Sequence, residues 1–485
     1  LSGMEVEPGS QFDRFLKWAA KLGISDNACR CIPAETSGAC LGHSLSISIF
    51  PEAGGRGMAA VRDFRKGELI LRVPKSALIT REAILKDENL SATLKSHPSL
   101  SSTQILTVCL LAEMNKGESS RWYPYLTQLP RRYDLLASFS EFEAQAFQVD
   151  EAIWNTQRAI SNVELEWKQA TDLLQNLGLK SQLRTLRAWL WASATISSRT
   201  LHVSWDDAGC LCPVGDLFNY AAPEEETCDF EGAGTHSKSS PLQVMSLPNE
   251  HGLIDAGYVE DVAEYCFYAR KSYKKGEQVL LSYGVYTNLE LLEHYGFLLK
   301  DNPNDKVFLH LQPEVLSSIS WLMDSLYICE NGQPSFALLS AFRLQATSPN
   351  QRRSVGHLAY SGFQISPDNE TSALNSIAAN CENMLKSLPT SIEDDTVILE
   401  TINCMQHSCT CMELEKLEWD FKLGLWKYLD AAHCDWCGRN SEIVRSEKVS
   451  RAVERWRLAV QWRRSYKKAL SDCVDYCRGM IQSLI

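Results

Sequence analysis

No stretch of this sequence reaches the roughly 20 uninterrupted apolar residues that a membrane-spanning helix needs, so no membrane partner is expected. Basic charge is also short: 48 Lys and Arg stand against 60 Asp and Glu, a formal net charge of −12. Phosphate binding rests on an excess of cations, so nucleic acid is not expected as a direct ligand. The opening residues, LSGMEVEPGSQFDRFLKWAAKLGI, carry Glu5 and Glu7 and show no apolar run before a cleavage site. They read as neither a secretory signal nor a Ser/Arg-rich transit peptide. The GGRG stretch at 54–57 lacks the Lys-Ser/Thr and the following helix of a phosphate loop. A plain hairpin turn is the simpler reading of its glycines. Regular alternation of strand and helix is missing too, which excludes a Rossmann-type parallel sheet.

What is present describes a globular protein. The chain has 485 residues, 45% hydrophobic and 22% charged, enough for two or three domains with cores of their own. Its 17 cysteines have no secretory context and are read as mostly reduced thiols. Phe12, Phe15, Leu16, Trp18, Ala19 and Leu22 recur at helical spacing, predicting an amphipathic N-terminal helix. Residues 43–80 read as strands separated by turns, in HSLSISIF and ELILRVP, and 81–200 as mostly helical. The strand pattern returns over 201–297, clearest in GYVEDVAEYCFYARKSYKKGEQVLLSYG, and contains a polar surface loop, EEETCDFEGAGTHSKSSPLQ. From 311 onward the pattern is helical.

CPVGDLFNYA, at 212–221, places Asp216 and Asn219 inside an aromatic-rich segment. Buried polar groups are costly unless paired, so each needs a partner. Three stretches share this mix of glycine turns and isolated polar residues: GGRGMAAVRDFRKGELILRVP (54–74), VGDLFNYA (214–221) and LLSYGVYTNLELLEHYGF (280–297). Taken singly each is a weak signal. Their order and separation resemble the SET-domain methyltransferases, and in particular the class of the Rubisco large-subunit lysine methyltransferase. WASATISSRT (191–200), RWYPYLTQLP (121–130), GQPSFALLSAFRL (332–344) and SLPTSIEDDTVIL (387–399) match that class's pattern as well. The likeness spans most of the chain.

The resemblance implies an α+β architecture. A β-rich SET fold with a pseudoknot and a helical insertion would be followed by an all-α C-terminal domain. An N-terminal helical segment would occupy 1–42 and the SET domain 43–298, with its helical insert over about 81–188. A helical domain that docks a protein substrate would occupy 299–485. It also implies S-adenosylmethionine as the methyl donor, without a metal. Gly55, Arg56 and Gly57 would approach the donor's methionine part, where missing Cβ atoms allow close contact. Arg199 would face the donor's carboxylate. Asn219 and the backbone of Tyr220 would hold the adenine and the amino-acid end, and Phe297 would offer the adenine an apolar face. Tyr283 would be the central catalytic residue, also touching the donor, with Ser198, Asp216 and Tyr295 lining the acceptor channel. Arg199 as a helix-end cap and Phe297 or Tyr283 as core residues are the structural alternatives. A monomer in the cytoplasm or nucleus is expected, with the chloroplast left open.

The chain departs from the family where Asn-His is usual and Asn219-Tyr220 stands instead. That leaves a weak or inactive SET protein that only binds partners as a rival to lysine methylation; methylation of histidine is a further alternative, because members of the class differ in acceptor. Two further features lie outside the motif set. Cys409, Cys411, Cys434 and Cys437 fall in HSCTC and HCDWC, a pattern compatible with zinc, although unbound thiols flanking a helical hairpin are the preferred reading. RSEKVSRAVERWRLAVQWRRSYKK (445–468) reads as a helix that could bind an acidic partner, a membrane or nucleic acid, with a solvated charged face over a core stripe as the preferred reading. Its core stripe would be Val453, Trp456, Val460 and Leu470.

Overall fold

The computed structural model describes residues 8–26, 41–51, 55–95, 97–223, 255–309, 321–407 and 447–484. The four cysteines weighed as zinc ligands and the polar loop at 224–243 lie outside them. The chain divides into two compact units, one of Leu1–Arg131 with Glu166–Val285 and one of Arg132–Leu165 with Tyr286–Ile485.

Small sheets make up the strand content of the first unit. Strands β1 (Leu45–Phe50), β2 (Gly55–Ala60), β3 (Leu69–Pro74), β4 (Thr200–Val203), β5 (Asp206–Leu211), β6 (Asn219–Tyr220), β7 (Ala256–Val259), β8 (Glu264–Tyr268) and β9 (Gln278–Leu281) form three of them. Their orders are β1-β2-β9-β6, β3-β8-β7 and β4-β5. The glycine stretch expected as a turn is already strand from Gly55, which pairs with Phe50 in an antiparallel ladder. Gly55 has φ +142, a backbone conformation reserved for glycine. The helical insert supplies Ser102–Lys116, opened by a capping box of Ser101 and Gln104, and at its end begins Leu186–Arg199, capped by Thr185. The N-terminal helix, Pro8–Lys21, forms as its periodicity predicts. It buries Phe15 and Ala19, and Trp18 Nε1 donates to the Arg121 carbonyl at 3.0 Å.

Helices dominate the second unit. The 38-residue helix Glu447–Leu484 packs on Pro367–Ser387 and Ile392–His407, and Phe336–Gln345 packs on Pro367–Ser387. A short antiparallel ribbon, β10 (Lys306–Phe308) with β11 (Tyr327–Cys329), is added to the helical pattern. The expected stripe of Val453, Trp456, Val460 and Leu470 is buried in the core. The basic residues beside it are not simply a solvated face. Arg463 and Lys467 are buried and both bind the buried Asp395 carboxylate at 2.6 Å. Arg455 reaches Glu143 at 2.8 Å. Two of these cations are therefore held inside by a carboxylate 68 and 72 residues away, a pairing invisible to local sequence.

Candidate active site

The first unit gathers most of the singled-out polar residues at the junction of β6, β9 and the end of Leu186–Arg199. Strand β6 runs parallel to β9, with Asn219 opposite Leu280 and Tyr220 opposite Leu281. Ala221 N extends the pairing to the Leu281 carbonyl at 3.1 Å. The VGDLFNYA and SYG segments thus lie side by side, as the family likeness requires.

The turn that feeds β6 is strained. Val214 adopts φ 71 and ψ −45, a positive φ that a β-branched residue rarely takes, at about 1–3 kcal/mol. The surroundings leave little choice. Gly215 has no room for a Cβ, which would run into the Phe267 ring and the Cys212 thiol. Asp216 N donates to the Cys212 carbonyl at 2.9 Å, and Leu217 N to the Val214 carbonyl at 3.1 Å. This geometry aims the Asp216 side chain at Tyr125 and Arg199.

Asp216 is the hub. Its Oδ2 accepts from the Tyr125 hydroxyl at 2.7 Å and from Arg199 Nη1 at 3.0 Å, and Arg199 Nη1 also reaches the Asp216 carbonyl at 3.0 Å. The Asp216 side chain is 2% exposed and that of Arg199 is 18% exposed. Ser198, one residue before Arg199, turns its hydroxyl back to the Ala194 carbonyl of its own helix at 2.7 Å. It takes no part in the hub's hydrogen bonds.

Asn219 sits against β2. Its Nδ2 donates to the Arg56 carbonyl at 3.1 Å. A Cβ on Gly57 would lie 2.7 Å from both Asn219 Nδ2 and Gln278 Nε2, so any larger residue there must push both amides aside. At Gly55 the same position is open space. The Arg56 side chain turns elsewhere, to the Gln128 carbonyl and, at 3.1 Å, to Gln128 Oε1. Two buried polar atoms of this region, Asp216 Oδ1 and Gln278 Nε2, have no hydrogen-bond partner within the protein.

Tyr283 closes the arrangement. Its hydroxyl donates to the Phe218 carbonyl at 2.5 Å. Desolvation pushes its pKa above the ordinary tyrosine value and the Asp216 carboxylate adds to this, against the opposing pull of the Arg199 guanidinium. Tyr283 is a neutral phenol at pH 7. Its ring lies 5.2 Å from that of Tyr220, tilted by 44°. The Tyr220 hydroxyl in turn donates to the Gly284 carbonyl at 3.0 Å.

Tyr295 and Phe297 belong to the second unit. There they form an aromatic group in which Tyr295 lies 5.5 Å from Tyr286 and 6.2 Å from Phe297. Tyr286, to which sequence reasoning gave no role, thus packs against one that it singled out.

Sequence reasoning missed three groups that hold this site. Tyr125 was in view only as part of RWYPYLTQLP, and nothing local marks its partnership with a residue 91 positions away. Arg270 forks onto the carbonyls of Ala221 and Ala222, both at 3.1 Å, and fixes the exit of β6. Gln278 is the third. Among the described residues no group of three or more His, Cys, Asp or Glu side chains could hold a metal ion.

The strained turn, the parallel β6–β9 pair and the tyrosine at the end of β9 define a SET-type methyltransferase fold. A SET-domain profile matches residues 55–284, and a Rubisco LSMT substrate-binding profile matches 290–470. Protein SET DOMAIN GROUP 40 of Arabidopsis thaliana is 49% identical over 481 residues, spanning 98% of this chain and 96% of its own length. The chain therefore belongs to the SET-domain methyltransferase family of the Rubisco LSMT type. Actin-histidine N-methyltransferase of Xenopus tropicalis is 26% identical over 76% of this chain, which spans 64% of that protein's length. The crystal structure of the SET domain of LSMT bound to lysine and AdoHcy superposes with a TM-score of 0.56 at 19% identity, covering 99% of this chain and 93% of that one. At that identity the likeness is one of fold.

Proposed function

We propose that this chain is an S-adenosylmethionine-dependent protein lysine N-methyltransferase whose protein substrate docks on the helical C-terminal unit. The observation that carries the reading is the position of Tyr283: its hydroxyl is held on the Phe218 carbonyl, next to Asn219, whose amide holds the Arg56 carbonyl of β2. Tyr283 is thereby held on the residue before Asn219, and Asn219 on β2. The open space at Gly55 allows backbone approach by a ligand, and the unpartnered Asp216 Oδ1 and Gln278 Nε2 offer polar contacts. These features fit a small polar donor. Gly55, Arg56, Gly57, Asn219 and Tyr220 would hold it chiefly through backbone groups, with Arg199 near its carboxylate. Phe297 and Tyr295 are assigned to adenine contact and acceptor lining by the family likeness alone.

When bound, the donor supplies an electrophilic methyl group on a sulfonium. The protein must supply a neutral amine in line with it. At a reference pKa of about 10.4, deprotonating lysine at pH 7 costs on the order of 4–5 kcal/mol. Desolvation beside a positive charge lowers that pKa, and alignment supplies much of the remaining acceleration. Tyr283 is suited to orientation rather than proton abstraction, because its phenol is neutral and its own proton is committed to Phe218. Its oxygen keeps lone pairs for the incoming amine or for a weak CH···O contact.

A histidine acceptor is the second reading, favoured by the actin-histidine N-methyltransferases among the relatives. Both are tested by incubating the protein with tritium-labelled S-adenosylmethionine and an extract from cells lacking it, followed by mass spectrometry of the labelled proteins. Methyl-lysine is expected. Methyl-histidine would replace the lysine assignment, and no transfer at saturating donor would overturn the enzyme reading.

A further inference from the structure

We infer that Tyr220 is a positioning residue for Tyr283, so that Asn-Tyr in this chain is a working substitute for the family's usual Asn-His; the inference rests on the methyltransferase reading above. Tyr220 is 7% exposed, and its side chain reaches past Tyr283 to the residue beyond it. On the near side of Tyr283, the backbone is held by the rung from Ala221 N to the Leu281 carbonyl. On the far side, the Tyr220 hydroxyl holds the Gly284 carbonyl at 3.0 Å. Tyr283 is thus bracketed by two bonds that both originate in the segment 220–221.

The bracket is needed because the far side is intrinsically loose. Gly284 has φ +130, and a glycine there has more accessible conformations than any other residue. Gly284 N donates to Ser282 Oγ at 3.4 Å, a long bond; with no hydrogen bond to the Gly284 carbonyl, the peptide after Gly284 could rotate and loosen the Tyr283 backbone. Tyr220 limits that rotation twice, through its hydroxyl on Gly284 and through its ring, 5.2 Å from the Tyr283 ring. The base of the bracket is rigid. Asn219 and Tyr220 pair with β9, and the Arg270 guanidinium holds the Ala221 and Ala222 carbonyls from the other direction. The Tyr220 side chain makes these contacts without disturbing the backbone pairing that keeps Asn219 against β2.

The test is Tyr220→Phe in the full chain, which removes one oxygen and leaves the ring. Three measurements are made on it: amide hydrogen exchange over 281–286, calorimetric titration with S-adenosylmethionine, and the initial rate of tritium transfer to the extract at saturating donor. Loss of one hydrogen bond corresponds to roughly a 5- to 10-fold change in an equilibrium. Exchange over 281–286 is expected to quicken by about that factor, and the transfer rate to fall by about that factor, while the donor Kd moves less than about two-fold. A tyrosine that merely supports folding would lower the unfolding temperature and leave the rate per folded molecule unchanged. Wild-type exchange over 281–286, or a wild-type rate with that exchange quickened, would overturn the inference. If the wild-type protein binds no donor, the methyltransferase reading fails, and exchange over 281–286 still decides whether Tyr220 restrains the segment.

Discussion

Removing the Asp216 carboxylate is the sharpest perturbation of the hub, and its size can be worked from the contacts. Asp216→Ala deletes the acceptor of the Tyr125 hydroxyl at 2.7 Å and of Arg199 at 3.0 Å. It leaves the Arg199 guanidinium, 18% exposed, without that counter-charge. Breaking a buried pair from one side typically costs about 3–5 kcal/mol. One contribution runs the other way: Asp216 Oδ1 is buried without a partner, and deleting it recovers about 1–3 kcal/mol of desolvation. The net expectation is a loss of about 2 kcal/mol. Urea unfolding followed by circular dichroism reads it. The double variant Asp216→Ala/Arg199→Met removes the stranded cation as well, so its loss should fall short of the sum of the two single losses by about 1.5 kcal/mol or more. Additive losses, or an Asp216→Ala change below about 0.5 kcal/mol, would refute the hub.

Other perturbations separate the physical causes. Asp395→Ala strands Arg463 and Lys467 together in the second unit's core and is expected to destabilise by about 4 kcal/mol or more, whereas Lys467→Met leaves the Arg463–Asp395 pair intact and should lose under about 2 kcal/mol; equal losses in chemical denaturation would contradict this. Asp305 is pushed by burial from 3.8 to about 6, against the two bonds it accepts from Asn288. A carboxyl whose folded pKa is raised contributes stability that is complete below pH 4 and disappears as the pH rises through about 6. The contribution is about 3 kcal/mol, and denaturation midpoints across pH 4–7 should lose that slope in Asp305→Asn. Gly57→Ala forces a Cβ to within 2.7 Å of Asn219 Nδ2 and Gln278 Nε2. It should weaken donor binding at least about ten-fold, equivalent to about 1.4 kcal/mol, with unchanged affinity as the refuting result.

Much of this was legible in the sequence because the motifs report local geometry. The alternation in LSISIF marks β1, and the resemblance to the family set VGDLFNYA beside SYG, whereas the Arg199–Asp216 pair appeared only in the fold. What stayed hidden depends on partners distant in the chain. Asp216 posed the question of a partner, but only the fold brings Tyr125 to it. The basic helix of 445–468 presented its cations and tryptophans plainly, yet the burial of Arg463 and Lys467 depends on Asp395 arriving from another helix. Tyr220 looked like a defect when compared with the family's histidine. Its hydrogen bond to Gly284 spans 64 residues, and no spacing rule announces it.

The central claim is that this junction binds a methyl donor, and calorimetric titration of the full chain with S-adenosylmethionine tests it most directly. A single site of micromolar affinity is predicted, weakened at least about ten-fold in Gly57→Ala, equivalent to about 1.4 kcal/mol, and largely retained in Tyr220→Phe. No heat of binding at millimolar donor would contradict the account.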